Sequence, residues 1–308
     1  MGIDKFYQRG VFPALSVGGL EYVNGIYPTA GKTWFVSPKS GNNSNGLNWK
    51  NAFTTLAAAI AANNADVNTY ADVGGVKFYK MNRIYVDGYN YAEALTAFPN
   101  HCEMIGVGAA PARIQGSTII ADATMAQVCH IYNMQFRNIT DSATVYLPYG
   151  SQGVEFHNCI FNGNCVATPT VGLQVGSACY SLIVDHCQFW GAPDAICGIQ
   201  FDGPYTTTSM IIDCFISAVT YGIYFANPMV SSYQVLIKGN TICRTDGYYN
   251  IQLVNGIYQA DPNSRSDVMI VENWISAATP FTGNKANNTI NNHVVVAGNG
   301  YLVTEETP

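Results

Sequence analysis

The feature that most limits what this chain can fold into is an eight-residue pattern that returns along its second half: apolar, any, apolar, any, any, Asn or Cys, any, large apolar. It occurs at residues 154–161 (VEFHNCIF), 182–189 (LIVDHCQF), 209–216 (SMIIDCFI), 235–242 (VLIKGNTI) and 268–275 (VMIVENWI). The sixth position is Cys159, Cys187, Cys214, Asn240 and Asn273, which gives intervals of 28, 27, 26 and 33 residues. A weaker copy precedes them at 134–140. Between copies lies a second short pattern, at 172–175 (GLQV), 198–201 (GIQF), 222–225 (GIYF) and 250–253 (NIQL). Each repeat therefore holds two or more alternating strands separated by turns, with no helical period. Such a unit cannot bury its own apolar face; stacking copies along an axis gives one continuous core and pairs each backbone with the rungs on either side. The expected fold is all-β, a single-stranded right-handed parallel β-helix. A β-sandwich also uses short strands, but it gives no reason for one keyed position to return.

In stacked coils a turn residue meets its counterpart about 4.8 Å away, and Asn side chains in that position form hydrogen-bonded ladders. Cys159, Cys187 and Cys214 occupy the slot that Asn240 and Asn273 fill later, so they are read as a buried stack of small apolar groups. Phe161, Phe189, Ile216, Ile242 and Ile275 form the neighbouring internal stack. Nine cysteines without CxxC or CxxH spacing predict reduced thiols rather than a disulfide or zinc framework.

Composition narrows the function. Charged residues make up only 11% of the chain, against roughly 25% in ordinary soluble domains. Neutral polar groups and aromatics, 29 Asn and 20 Tyr among them, must cover the surface. With 14 basic and 20 acidic side chains the net charge is −6, which argues against nucleic acid as a partner. No run reaches the roughly 18 apolar residues of a membrane span. Residues 1–10 lack the apolar core of a secretory signal, so the expectation is synthesis in a cytoplasm without signal-directed secretion.

The second half resembles the pectate-lyase-like right-handed β-helix superfamily, whose members include polysaccharide lyases, glycoside hydrolases and phage tail spikes. The first half is similar to that group's opening: residues 34–46 (WFVSPKSGNNSNG) as first strand and Gly/Asn loop, 51–62 (NAFTTLAAAIAA) as capping helix, and strands at 83–88 (RIYVDG) and 102–108 (CEMIGVG). The organisation expected is an N-terminal attachment arm over 1–33, a β-helix over 34–280 with its helix near 51–62, and a C-terminal cap over 281–308.

Catalytic residues are less clear. The segment 184–187 (VDHC) resembles a strand motif in which pectate lyases use an Asp to hold calcium, but the equivalent positions on neighbouring rungs are His157 and Ile212, and calcium needs several converging oxygens. Glycoside hydrolysis needs two carboxyls roughly 5 to 10 Å apart. The candidates for that alternative are Asp185, Asp194, Asp202 and Asp213. His130, His157, His186 and His293 lack ligand spacing, so no metal and no cofactor is expected.

The outward positions are more informative. Ile183, Met210, Ile212, Leu236, Met269 and Val271 form an apolar band on the strands before the keyed turn, expected to be the interface of a parallel homotrimer. Gln174, Gln200, Tyr224 and Gln252 are expected to line up outward on the second strands, a row suited to an extended glycan. The resemblance and the aromatic, nearly uncharged arm together suggest a virion protein of a phage: a spike, fibre or capsid-decoration subunit on the particle surface, tied to other virion proteins through its arm and gripping a host-surface glycan. A polysaccharide lyase or glycoside hydrolase on the same scaffold is the alternative.

Overall fold

The structure is a computed structural model. It describes residues 15–17, 20–22, 30–42, 44–66, 69–73, 76–79, 81–116, 118–119, 125–137, 143–162, 171–190, 197–203, 207–226, 233–244, 253–259, 268–282, 289–296 and 299–305. Each repeat folds into three strands that pair in parallel with the same strands of the next repeat, so the chain winds into a β-helix with three sheets. The first sheet contains Met81–Asp87, Cys102–Val107, Gln127–Tyr132, Gln152–His157, Ile183–Asp185, Thr207–Ile212, Tyr233–Lys238 and Val268–Val271. The second contains Ala112–Gln115, Met134–Arg137, Ile160–Asn162, Gln188–Trp190, Phe215–Ser217, Thr241–Cys243 and the start of Trp274–Thr282. The third contains Val145–Leu147, Val171–Val175, Cys197–Phe201, Tyr221–Phe225, Leu253–Gln259 and the end of Trp274–Thr282.

Alternation along each strand decides which side chains meet inside. The first sheet stacks Phe156, Val184, Ile211, Ile237 and Ile270. The second stacks Phe161, Phe189, Ile216, Ile242 and Ile275, and the third Leu173, Ile199, Ile223, Ile257 and Phe281. All are buried. The rings of Phe161 and Phe189 stack with centroids 4.5 Å apart and planes 3° from parallel. Burying each such side chain contributes roughly 1.5–3 kcal/mol.

First and second sheets meet at a sharp turn of one residue in the left-handed region. Asn133, Asn158, His186, Asp213 and Glu272 take φ of 50–57° there, and Gly239 takes 69°. The residue after each of the last five is the keyed position. Its side chain turns inward: Asn240 Oδ1 accepts from the Cys214 N–H at 2.9 Å, Asn273 Oδ1 from the Asn240 N–H at 2.9 Å, and Asn292 Oδ1 from the Asn273 N–H at 2.9 Å. Cys159, Cys187 and Cys214 continue the column with sulfur, Cys187 Sγ taking the Cys159 N–H at 3.4 Å. The eight described cysteines are all free thiols.

The third sheet approaches the second closely. A Cβ on Gly198 would sit 2.4 Å from Ile216 Cγ2, and one on Gly256 2.5 Å from Ile275 Cγ2. Glycine at this step is therefore a packing requirement. It also corrects the last second-strand copy: the register pairs Tyr224 with Tyr258, so the glycine column continues at Gly256 and the equivalent segment is 256–259 (GIYQ), not 250–253.

One end is closed by the helix Leu56–Asp66, which starts later than the expected residue 51 because a 3-10 turn, Trp49–Asn51, comes first. Leu56, Ala59, Ile60 and Asn63 are buried on one stripe. Glu93, distant in sequence, accepts the free N–H groups of Leu56 and Ala57 at 2.9 and 3.0 Å, a cap supplied from the coil itself. At the other end parallel stacking continues past residue 280 through Thr289–Val296, after which Asn299–Glu305 returns antiparallel along it. Of the N-terminal arm, a hairpin of Leu15–Val17 and Leu20–Tyr22 is described.

Candidate functional site

On the third sheet, the register places Tyr146, Gln174, Gln200, Tyr224 and Tyr258 in a single outward row over five rungs. Each is half-buried, and the first four lie between buried neighbours. Gln252 lies outside the described residues, and Tyr258 takes the place expected for it. Asp202, just past the end of its strand, ties the middle of the row together: Gln174 Nε2 donates to its Oδ2 at 2.5 Å and Gln200 Nε2 to its Oδ1 at 2.6 Å. Each amide thus spends one N–H on the carboxylate and presents its carbonyl oxygen and second N–H.

Above the amides the row becomes aromatic. Tyr221 stacks on Tyr224 with centroids 4.5 Å apart and lies 5.1 Å from Tyr258, which is 5.6 Å from Tyr224. Burial, then the neighbouring Tyr221 and Tyr258, raise the Tyr224 phenol above its ordinary pKa, so its hydroxyl remains a donor near neutrality. Two amides flanked by tyrosines thus offer hydroxyl donors, amide acceptors and flat rings along about 19 Å, four inter-rung steps of roughly 4.8 Å. That composition suits a long ligand rich in hydroxyls. Asp202 is the one carboxylate tied into this row among the described residues, and both its oxygens already accept amide hydrogen bonds.

The first sheet carries a second, titratable cluster. His157 lies between two carboxylates, its Nε2 2.9 Å from Glu155 Oε2 and its Nδ1 3.1 Å from Asp185 Oδ2. Tyr132 stacks flat on the imidazole at 4.8 Å. His130 Nε2 lies 3.6 Å from Glu155 Oε1. On its other oxygen Asp185 meets His186 Nδ1 at 2.5 Å, and His186 Nε2 lies 4.0 Å from Asp213 Oδ2. Burial works to raise the Asp185 pKa, but the hydrogen bonds from His186 and His157 outweigh it and hold the carboxyl below its usual value. The hydrogen bond to Asp185 raises His186 in turn.

The four carboxyl candidates therefore do not form one group. Asp185 and Asp213 share His186; Asp202 belongs to the third sheet; Asp194 lies outside the described residues. The register bears out His157 and Ile212 as the neighbours of Asp185 in its own row, and outside that row the left-handed turn brings Asp213 near the shared His186. Asp185, His186 and Asp213 offer ligand atoms within 4.8 Å of one another. Two carboxylates and one imidazole on an open turn supply fewer oxygens than calcium takes, 6 to 8. Glu155 was missed altogether, although it lies two residues before His157 on the same strand, a spacing that puts both on one face.

Toward the helix's C-terminal end this face turns apolar. Ile183, Met210, Leu236 and Met269 follow Glu155 in one row, while Ile212 and Val271 flank Lys238 in the next. Met210 and Met269 are 37% and 50% exposed.

No family model matches the chain, and no curated protein matches it. Among solved structures, a pectate lyase superposes with a TM-score of 0.59 at 15% identity over 86% of this chain and 69% of that one. A pectin methylesterase from Erwinia chrysanthemi gives a TM-score of 0.49 at 15% identity over 79% and 78%. One from carrot gives 0.43 at 10% identity over 87% and 84%. The pectate lyase match, with the ladders and three parallel sheets, gives the fold: a right-handed parallel β-helix of the pectate-lyase-like type.

Proposed function

We propose that this chain is a β-helical structural subunit of a virus particle, of spike, fibre or capsid-decoration type, that grips an extended polysaccharide along its third sheet. The observation carrying the reading is the row Tyr146, Gln174, Gln200, Tyr224 and Tyr258, braced by Asp202. It offers rings and amides for binding, while its one carboxylate is already engaged by two amides. The partly exposed apolar band on the first sheet supports the structural role, because a monomeric enzyme has no need of an apolar stripe and a parallel homotrimer buries one. Attachment to other virion proteins through the N-terminal arm belongs to the same proposal.

A polysaccharide-degrading enzyme is the second reading, favoured by one observation: Glu155 and Asp185 flank a single imidazole, which is raw material for general acid and base catalysis. A glycan-binding screen of the wild type beside Tyr224→Ala and Gln200→Ala tests the first reading, and an assay for polysaccharide cleavage with Asp185→Asn tests the second. Binding lost in the first two variants supports the glycan row. Binding unchanged in both reduces the row to scaffolding, and cleavage abolished by Asp185→Asn transfers the function to the histidine cluster.

A further inference from the structure

His157 has more acceptors around it than a neutral imidazole can serve. Its Nε2 lies 2.9 Å from Glu155 Oε2 and its Nδ1 3.1 Å from Asp185 Oδ2. An ionised carboxylate only accepts hydrogen bonds, and a neutral imidazole has a single N–H to give. Neutral His157 would therefore set a nitrogen lone pair against one of the two carboxylates. Both contacts are satisfied together when both ring nitrogens donate, which is the imidazolium form. Tyr132 favours that form, because its ring lies flat on the imidazole at 4.8 Å with planes 10° apart, and the face of an aromatic ring attracts a cation.

The neighbours leave this charge to His157. Asp185 is an acceptor on both oxygens, since Oδ1 also meets His186 Nδ1 at 2.5 Å. Burial works to raise its pKa, yet the hydrogen bonds from His186 and His157 hold the carboxyl below its usual value. Among the described residues, the strand on one side, Gln127–Tyr132, brings His130 and Tyr132 to this face, and the strand on the other brings Asp185. His130 Nε2 is 3.6 Å from Glu155 Oε1, too far for a hydrogen bond. Its other row neighbour, Glu103, is taken by Arg83. At the turn, His186 stands between Asp185 and Asp213. Three imidazoles thus alternate with three carboxylates, and His157 is the ring that meets a carboxylate within 3.1 Å at each nitrogen.

We propose that His157 is a proton-operated clamp between adjacent coils of the first sheet. As an imidazolium it bridges Glu155 to Asp185 and ties the strand Gln152–His157 to Ile183–Asp185; as a neutral ring it releases one carboxylate and the joint loosens. A proton held by the closed joint stabilises it in mild acid, and that stabilisation fades as pH rises through the range in which imidazole titrates. The joint lies where the charged rows give way to the apolar band, for Ile183 follows Glu155 and Ile212 follows Asp185. Deprotonation therefore adds a negative charge at the edge of the surface proposed for self-association. One consequence rests on that homotrimer reading: copies should associate more weakly in base than in mild acid.

The test follows amide exchange of the wild-type chain at about pH 5.5 and about pH 8.5, corrected for the intrinsic rate, with nitrogen NMR of the histidine rings. Amides of Gln152–His157 and Ile183–Asp185 should lose protection about tenfold or more at the higher pH, as His157 passes from two protonated ring nitrogens to one. Those of Val171–Val175 should not change. Glu155→Gln is the deciding variant, because the introduced amide can donate to a neutral ring nitrogen where a carboxylate cannot; the joint should stay closed at both pH values. His157→Gln should leave it open at both, while His130→Gln and His186→Gln should keep the wild-type pH dependence. Sedimentation separates this inference from the homotrimer: a wild type that is monomeric at both pH values removes the trimer and leaves the clamp to be judged by exchange alone. The clamp is overturned by protection of the two strands that ignores pH, by a loss of protection that does not follow deprotonation of His157, or by a Glu155→Gln chain that opens in base as wild type does.

Discussion

Asn240→Ala probes the column that holds successive rungs in register. Asn240 Oδ1 accepts the Cys214 N–H at 2.9 Å, and its Nδ2 donates to Ile211 O and Asn273 Oδ1, each at 2.9 Å. Every partner is at most 2% exposed. Alanine leaves the Cys214 N–H and the Ile211 carbonyl without this partner, at about 1–3 kcal/mol for each buried group left unsatisfied, so the expected loss is about 2–6 kcal/mol. Asn273 Oδ1 still accepts the Asn240 N–H, so the damage should stay local. Cys187→Asn makes the opposite change, because an amide in that slot offers an acceptor to the Cys159 N–H and a donor to Phe156 O, now contacted by sulfur at 3.4 and 3.3 Å. Denaturant unfolding gives the stability change, and amide exchange at Cys214 locates it. An Asn240→Ala chain within about 0.5 kcal/mol of wild type, the range of an ordinary surface substitution, with Cys214 still protected, would refute the ladder argument.

Other consequences follow from the same geometry. Cys187 and Cys214, buried with pKa values pushed up mainly by desolvation, should resist native alkylation, whereas half-buried Cys243, raised only to about 11, should label first as pH increases; mass spectrometry of labelled peptides checks the order. Ile212→Asp should split the proposed trimer or make the chain insoluble, and sedimentation of wild-type protein as a monomer would contradict the interface. His186 should titrate above the ordinary histidine value in an NMR titration, and Asp185→Asn should remove that shift. The two contributions have opposite signs. The raised His186 pKa stabilises fully below its unfolded value near 6.5 and fades as pH rises through the folded pKa; the lowered Asp185 pKa stabilises above about 3.8 and fades as pH falls through its folded value. The pair should therefore contribute most between those two limits, modestly because His186 is exposed.

The stacking was legible in the sequence because its causes are strictly periodic. Cys159, Cys187, Cys214, Asn240 and Asn273 each follow a residue in the sharp turn, so one chemical requirement reappears at each rung. The last second strand was misplaced because the 33-residue interval before Asn273 holds two similar segments, and the peptide around Gln252 matched by composition. The clash a Cβ would make with Ile275 at Gly256 decides between them, and that contact crosses sheets. Titratable groups were harder to read. His157 meets Asp185 across a rung, 28 residues away in sequence, and Asp213 reaches His186 only because both occupy left-handed turns. The cap that Glu93 gives the helix was invisible for the same reason: 37 residues separate it from Leu56.

The most direct test of the glycan row measures affinity for neutral oligosaccharides of increasing length, together with the length of the sugar recovered afterwards. A row spanning about 19 Å from Tyr146 to Tyr258 predicts that affinity rises with length until the ligand covers all five rungs, then levels off, and that the sugar is recovered intact. Affinity independent of length, or recovery of shortened chains, would contradict the account.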